Sequence, residues 1–304
     1  MTRFAPTDLT ELRDQITGAL TAEEPVELVA GGSKRELGRP VQAAHILDLA
    51  LLSGIRDYQP SELVLTAGAG TPLGEIEPAL EEAGQMLAFE PPDWRALLGS
   101  GEQDGAGPTL GGVLACNLSG PRRVKAGAAR DHFLGFRAVS GRGEIFKAGG
   151  KVIKNVTGFD LPKLMAGSYG TLAALEEVTV KVLPRPEMVA TLLFTNLEPV
   201  AAGHLMAAAL GSPHEISAAA YLPEGTAMPF SVSGGGTVGL RLEGPAPSVE
   251  FRCDSLTREH GTSGAAEIVT GSEAIAFWRA IGEAAPLAEL TGRAVWRISV
   301  APAI

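Results

Sequence analysis

Cysteine, aromatic residues and positive charge are all scarce in this chain of 304 residues. The two cysteines, Cys116 and Cys253, exclude a disulfide framework, so a reducing, cytoplasmic compartment is the simplest expectation. There is no Cys-x-x-Cys pair, and the usual ligand spacing of an iron–sulfur cluster is therefore missing. The net charge of −10 argues against a nucleic-acid-binding protein, because such proteins carry an excess of lysine and arginine.

Long apolar runs are missing as well. No stretch approaches the roughly 20 apolar residues that a membrane-spanning helix needs, so we expect no transmembrane segment. Residues 1–14 lack the apolar core of a secretory signal peptide. Attachment to a membrane through partner proteins stays compatible with these features. The hydrophobic content of 45% and the chain length predict a globular protein of two domains.

Glycine, by contrast, is plentiful, with 38 residues, and three segments combine glycines with small or polar residues. These segments are Ala30–Gly38, Pro108–Asp131 and Gly149–Val182. Glycine allows the backbone to approach a ligand closely, and converging N–H groups bind anions such as a diphosphate. Neither the P-loop nor the dinucleotide fingerprint is present. We therefore expect ligand-binding loops that hold one extended ligand, with an irregular buried turn as the alternative for the second segment.

The sequence pattern changes after Pro184–Pro186, which we predict to be the domain boundary. From Val189 to Val269 the expected order is strand, helix, strand, strand, helix, strand, as in the ferredoxin-like arrangement. A further helix is expected at Glu273–Ala284 and a further strand at Val295–Val300. Because the chain stops soon after that strand, we expect the second domain to be incomplete at its C-terminus.

The three glycine-rich segments together resemble the flavin domain of the vanillyl-alcohol oxidase and p-cresol methylhydroxylase (PCMH) superfamily. Within it, the resemblance is strongest to the FAD-binding subunits of bacterial glycolate oxidases. It covers residues 1–185, through PTLGGVLACNLSGPRR (residues 108–123) and KNVTGFDLPKLMAGSYGTL (residues 154–172). The resemblance implies an α+β fold, with a two-subdomain PCMH-type FAD-binding domain over 1–185 and a ferredoxin-like substrate or cap domain over 186–304.

The same resemblance assigns FAD contacts. The turn at Ala30–Ser33 would hold the diphosphate through backbone N–H groups, Pro91 and Pro92 would line the cleft, and Thr109–Gly112 would extend the cradle. Further residues would lie near the isoalloxazine or the adenine, or close over the cofactor. The implied cofactor-binding residues are Ala30, Gly31, Gly32, Ser33, Pro91, Pro92, Thr109, Leu110, Gly111, Gly112, Asn117, Ser119, Gly120, Arg130, Asp131, Gly170, Thr171 and Val178.

Some members of this superfamily attach the flavin through a histidine at the first loop, where this chain has Ser33 and Lys34. We therefore expect non-covalent FAD, with Cys116 as a small buried side chain rather than a tether. No residue is identified as catalytic, because the histidine-rich metal-binding segment of the catalytic subunits has no counterpart here. Candidate arginines for a substrate carboxylate are Arg122, Arg123, Arg241 and Arg297.

The function implied by the resemblance is oxidation of a small 2-hydroxy acid, glycolate, to a 2-oxo acid. Electrons would leave through an iron–sulfur subunit, in a complex that also contains a homologous FAD subunit. Two alternatives stay open at this point. The chain could be a non-catalytic subunit that carries FAD for assembly or electron relay, or a flavin oxidoreductase of the same superfamily with another substrate.

Overall fold

The computed structural model describes residues 1–99, 107–151, 158–226, 228, 235–261, 266–288, 290 and 292–300. Residues 152–157 of the third glycine-rich segment lie outside this description. The chain divides into two compact units. The first unit comprises Met1–Ser119 and Gly127–Arg185, and the second comprises Gly120–Ala126 and Pro186–Ile304.

The first unit contains a small parallel sheet with a core of its own. Its strands are β1 (Thr2–Phe4), β2 (Val26–Val29) and β3 (His45–Asp48), in the order β1-β3-β2. Helix α1 (Leu9–Thr21) begins at Asp8, whose carboxylate accepts hydrogen bonds from the N–H groups of Thr10 and Glu11. Leu12 of this helix packs with Leu47 and Leu49, as the apolar spacing of α1 predicts.

A second, five-stranded antiparallel sheet forms the larger core of the first unit. Its strands lie in the order β4 (Ile55–Gln59), β5 (Val64–Gly68), β9 (Ala173–Lys181), β7 (Phe133–Ser140) and β8 (Ile145–Gly149), and four helices pack beside it. The presence of two sheets with separate cores agrees with the two α+β subdomains that the resemblance implies. The elements are β4 (Ile55–Gln59), β5 (Val64–Gly68), α2 (Leu73–Glu82), β6 (Gln85–Met86), α3 (Arg95–Leu98), α4 (Leu110–Cys116), α6 (Ala129–His132), β7 (Phe133–Ser140), β8 (Ile145–Gly149), α7 (Leu161–Met165), β9 (Ala173–Lys181) and β10 (Leu183–Pro184), which pairs with β6.

The prediction that Pro108–Asp131 is a glycine-rich loop is wrong, because this segment contains helix α4. The Thr109 hydroxyl caps α4 by accepting from the Gly112 N–H, and Asn117 ends it in the left-handed conformation with φ 51°. Leu110, Val113 and Leu114 are fully buried at helical spacing. A capping threonine, this spacing and the terminal asparagine were signals in the sequence that the high glycine content obscured.

The second unit is built on a four-stranded antiparallel sheet in the order β12-β13-β11-β14. The predicted order of strand, helix, strand, strand, helix, strand is confirmed. The predicted strand at Val295–Val300 is wrong, because these residues are exposed and pair with no strand in the described part of the chain. The elements are α5 (Arg123–Ala126), β11 (Met188–Phe194), α8 (Pro199–Leu210), β12 (Ala218–Leu222), β13 (Thr237–Gly244), α9 (Ala246–His260), β14 (Ala266–Thr270), α10 (Gly271–Gly282) and α11 (Ala285–Ala288).

Alternating side chains place helices on both faces of this second sheet. On β11, Leu192 and Phe194 pack with α8 and α9, whereas Leu193 packs with Phe277 of α10. Gly239 of β13 lies under the Phe277 ring, where an added Cβ would be 2.8 Å from a ring carbon. Within the described part of the chain, no helix is both long and apolar enough to cross a bilayer.

Candidate functional site

A cavity of about 330 Å³ opens in the first unit. Its walls come from β2 and the turn after it, from the first two turns of α4, and from residues 169–175 at the start of β9. The structure thus brings together residues from all three glycine-rich segments of the sequence. The sequence-predicted residues that line it are Ala30, Gly31, Gly32, Ser33, Thr109, Gly111, Gly112, Gly170 and Thr171.

The turn after β2 presents backbone donors without internal acceptors. Within the described residues, nothing accepts a hydrogen bond from the N–H groups of Gly31, Gly32 and Ser33. Gly31 must be glycine, because an added Cβ would lie 1.7 Å from the Gly107 carbonyl oxygen. Gly32 has φ 67°, a conformation that favours glycine. Such N–H groups call for an acceptor, and an anion in the cavity would supply it.

The N–H groups of the two glycines at the start of α4 have acceptors within the protein. The Gly111 N–H donates to the Ala69 carbonyl oxygen at 2.9 Å, and the Gly112 N–H donates to the Thr109 hydroxyl at 3.3 Å. An added Cβ at Gly111 would lie 2.6 Å from the Ala69 oxygen, so this glycine allows α4 to approach β5 closely. Gly112 also lines the cavity and has more space around its Cα than Gly111. Because it has no side chain, it leaves this part of the cavity open.

Lys34 is a cavity residue that the sequence analysis did not place in the site. Its Nζ donates to the Ser33 Oγ at 2.8 Å. Burial lowers the pKa of Lys34, and the nearby Cys116 and Asp93 oppose this effect only in part. A cationic amine in a partly buried position beside unpartnered N–H groups makes this wall of the cavity electropositive.

An ion pair, Glu27 with Arg35, also lines the cavity. The Arg35 Nε and Nη2 donate to the two Glu27 carboxylate oxygens at 2.9 and 2.8 Å, a bidentate arrangement that fixes both side chains. Tyr169, with φ 54° and more than half of its surface exposed, contributes to the opposite wall. Tyr169 lies between Gly167 and Gly170, and nothing in the sequence indicates that its side chain lines the cavity.

Cys116 also lines the cavity, one helical turn beyond Gly112 on α4. Burial raises the pKa of its thiol, and Lys34 opposes that rise only in part. A thiol with a raised pKa is a poor nucleophile, since the thiolate is the reactive form. Among the described residues that line the cavity, none is a histidine.

The other predicted site residues lie outside the lining of this cavity, and their contact with a cofactor stays a prediction. Leu110 and Val178 are fully buried in the larger core. Pro91 and Pro92 precede Asp93, which is close enough to Lys34 to influence its pKa. Gly120 belongs to the second unit.

Asn117, Ser119, Arg130 and Asp131 hold one turn of the first unit together. The Asn117 Oδ1 accepts from the Arg130 N–H at 3.0 Å, and the Ser119 Oγ accepts from the Ala129 N–H at 2.8 Å. The Asp131 carboxylate accepts from the Ala128 N–H at 2.8 Å and lies 3.5 Å from the Arg130 Nε. These contacts give the four polar residues a structural role at the start of α6.

Two of the four candidate arginines meet at one carboxylate in the second unit. The Arg122 Nε and Nη2 donate to Glu243 at 3.0 and 2.7 Å, and the Arg241 Nε lies 3.7 Å from the same carboxylate. Arg241 is only 2% exposed, donates to the Ser217 hydroxyl at 3.1 Å and stacks 5.0 Å from the centroid of the Trp278 ring. Arg123 and Arg297 are exposed.

Both arginines of this group have a carboxylate partner within the second unit. We call Arg122, Ser217, Arg241, Glu243 and Trp278 the buried arginine cluster. Burial by itself raises the pKa of Glu243, but hydrogen bonding by Arg122 and the charges of both arginines outweigh it, so the net pKa lies below the ordinary value. In the described part of the chain, no group of three histidine, cysteine or acidic side chains is placed to hold a metal ion.

Comparison with known proteins gives this cavity a context. Residues 3–149 match the FAD binding domain family. The chain is 38% identical to the glycolate oxidase subunit GlcE of Escherichia coli, over 95% of this chain and 72% of that protein. It is 32% identical to the glycolate oxidase subunit GlcD of Bacillus subtilis, over 62% of this chain and 39% of that protein.

A solved structure of p-cresol methylhydroxylase has the same fold. The similarity covers 90% of this chain and 58% of that chain, with a TM-score of 0.64 and 16% identity. The cavity lies in the first unit, which contains all of the matched residues except 120–126. By its identity to GlcE over nearly its whole length, the chain belongs to the GlcE family of FAD-binding proteins, which has the PCMH-type fold.

Proposed function

We propose that this chain is the FAD-carrying subunit of an oxidoreductase complex that converts glycolate to glyoxylate. The observation that carries the proposal is the 38% identity with a glycolate oxidase subunit over 95% of the chain. Residues 1–185 would be the FAD-binding domain and residues 186–304 the substrate or cap domain. When bound, the flavin supplies the two-electron acceptor for this oxidation.

The cavity residues fit the diphosphate of FAD. Gly31, Gly32 and Ser33 offer three N–H groups that lack an acceptor in the described residues, and Lys34 adds a cation beside them. At Gly112 a side chain would occupy cavity space, so the glycine preserves room for the ligand. In this proposal the chain binds and orients the cofactor at one wall of the cavity and provides the charge that opposes the diphosphate.

We propose that the FAD is held without a covalent bond. The cavity thiol is Cys116, whose raised pKa disfavours attack on the flavin, and the described lining holds no histidine. Denaturing the flavin-loaded chain and filtering it should release all of the flavin into the filtrate. Flavin that stays with the denatured polypeptide would contradict this part of the proposal.

For partners, we propose a second, homologous FAD subunit and an iron–sulfur subunit in a cytoplasmic complex. A GlcD protein of Bacillus subtilis is related in sequence to this chain and is likewise named a glycolate oxidase subunit, which supports a homologous pair. An iron–sulfur partner follows from the resemblance alone. Purification of the complex through a tag on this chain, followed by electron paramagnetic resonance and peptide mapping, tests both partners.

The main experiment is anaerobic flavin spectroscopy. The purified chain should show visible flavin absorbance, and glycolate should bleach it within a single turnover. A Gly112→Leu variant should lose the flavin because the new side chain fills the cavity, while a Gly74→Leu variant, with open space at its Cβ position, should retain it. A colourless chain that stays colourless with added FAD would overturn the proposal.

A non-catalytic role is the second candidate function. GlcD and GlcE are both named glycolate oxidase subunits, so the oxidation could take place on the homologous subunit rather than on this one. It predicts that glycolate fails to bleach the flavin of this chain alone but reduces it within the assembled complex. A panel of other 2-hydroxy acids in the same assay separates both roles from a flavin oxidoreductase with a different substrate.

A further inference from the structure

The Lys34 amine lines the cavity and has no anionic partner among the described residues. Its Nζ donates to the Ser33 hydroxyl at 2.8 Å, and no Asp or Glu of the described residues lies within salt-bridge distance. Other cations of the first unit are paired differently. Arg35 binds Glu27, Arg56 binds Glu177, and Arg3 binds Asp48.

A partly buried cation without a nearby anion is unfavourable, because burial removes hydration that only an opposite charge replaces. Asp93 is the acidic residue whose charge reaches Lys34, but its carboxylate is already bound by Arg95 at 2.7 Å. The hydroxyl of Ser33 supplies a hydrogen bond and no charge. Among the described residues, no carboxylate therefore compensates the charge of Lys34.

The position of Lys34 indicates where that negative group would come from. The residue directly follows the Gly31–Ser33 turn with its three unpartnered N–H groups. Its Cε and Nζ lie 3.6 and 3.7 Å from the place where a Gly112 Cβ would be. The amine therefore reaches across from the turn to the first turn of α4, and it faces the same space as the N–H groups.

We propose that Lys34 is a cofactor-binding residue whose ammonium group neutralises the diphosphate of FAD held at the Gly31–Ser33 turn. This inference rests on the proposed FAD-binding function of the cavity. An ammonium group acts on phosphate oxygens as a point charge with three donors, and it forms charge-assisted hydrogen bonds stronger than those of neutral donors.

Ser33 has a supporting part in this arrangement. Its side chain is nearly fully buried, and its hydroxyl accepts from the Lys34 amine. Ser33 is thus a positioning residue that directs the amine into the cavity. Removal of its hydroxyl should weaken FAD binding less than removal of the amine, because the charge is kept.

The test measures the dissociation constant of FAD by titration of the flavin-free chain, with four substitutions at Lys34 and Ser33. Lys34→Met keeps the length of the side chain and removes the charge, and it should weaken FAD binding about 10- to 100-fold. Lys34→Glu should weaken it further, Ser33→Ala should weaken it less, and Lys34→Arg should bind FAD more tightly than Lys34→Met. Lys147→Met, at an exposed residue of β8, is the matched control and should bind like the unmodified chain.

Two further readouts separate binding from folding. Without FAD, the Lys34→Met chain should unfold at the same temperature as the unmodified chain or above it, whereas a merely structural role would lower that temperature. Added salt should weaken FAD binding of the unmodified chain more than that of Lys34→Met, because a screened charge pair has been removed.

The failures of the two proposals are distinguishable. If the unmodified chain binds no FAD, the proposed function falls and this inference falls with it. If the unmodified chain binds FAD and Lys34→Met binds it within twofold, only the role of Lys34 is overturned. Equal weakening by Lys34→Met and Lys34→Arg would also overturn it, since charge would then not be the deciding property.

Discussion

Partly buried cations occur in both units of this chain, but their surroundings differ. In the buried arginine cluster of the second unit, Glu243 lies against both Arg122 and Arg241, and Arg241 also contacts Trp278 and Ser217. In the first unit, the Lys34 amine donates a hydrogen bond to the Ser33 hydroxyl and lines the cavity. A buried cation with a carboxylate partner in the chain is part of the fold's own packing, whereas a cation that lacks such a partner among the described residues is a candidate to bind an anionic ligand.

The comparison also separates the candidate arginines from the cavity. Arg122 and Arg241 looked equally suited to hold a substrate carboxylate when judged from the sequence. In the structure, both arginines instead bind a carboxylate of the protein, that of Glu243. The following predictions test the contrast between the two regions, and they run from the largest expected effect to the smallest.

Glu243→Ala should have the largest effect on stability, a loss of about 3–5 kcal/mol, because it leaves two buried arginines without their carboxylate. Urea unfolding followed by tryptophan fluorescence measures this loss. Glu250→Ala, at an exposed residue of α9, is the control and should change stability by no more than about 0.5 kcal/mol. Equal stability of both variants would contradict a structural role for the buried arginine cluster.

Neighbouring glycines of α4 should respond differently to alanine. Gly111→Ala should cost about 1–3 kcal/mol, because its Cβ would lie 2.6 Å from the backbone oxygen of Ala69, which cannot move away freely. Gly112→Ala should cost less, since its closest contact would be 3.1 Å from a side-chain hydroxyl. Denaturant unfolding of both variants without flavin tests this order, and a reversed order would contradict the packing described here.

Acid should weaken the buried arginine cluster specifically. The pKa of Glu243 is lowered in the folded chain, so its contribution to stability is present above the ordinary value of 4.5 and is lost as the pH falls through the folded-state pKa. The stability difference between the unmodified chain and Glu243→Gln should therefore shrink as the pH decreases below about 4.5. A difference that stays constant down to the acid-unfolding range would argue against an ionised Glu243.

The smallest effect is expected for Lys34→Met in the flavin-free chain, and its sign should be opposite to that of Glu243→Ala. The pKa of Lys34 is lowered in the folded chain, so the charged amine opposes folding at pH values below the ordinary 10.5. Removal of the charge should therefore increase the free energy of unfolding. The increase should be small, because the lost Lys34–Ser33 hydrogen bond, about 0.5–1.5 kcal/mol, offsets part of it. The gain should diminish as the pH rises toward 10.5, and thermal unfolding at a series of pH values measures it.

Much of the fold could be predicted from local patterns. The order of strands and helices over Val189–Val269 was predicted from the sequence and is confirmed. Where the prediction failed, two local signals competed. In Pro108–Asp131 the glycines favoured a loop, but Thr109 and the burial of Leu110, Val113 and Leu114 produced a helix.

By itself, the sequence determined which segments bear the cavity and which family the chain belongs to, because glycines and small polar residues at fixed positions record where the backbone must approach a neighbour or a ligand. Tertiary structure alone decided which of those residues share one space. It placed Lys34 over Gly112, 78 positions apart in number but adjacent in the cavity, and it paired Arg122 with Glu243. The physical reason is that local patterns fix helices, strands and turns, whereas the balance of charge around a buried group depends on residues brought together only by folding.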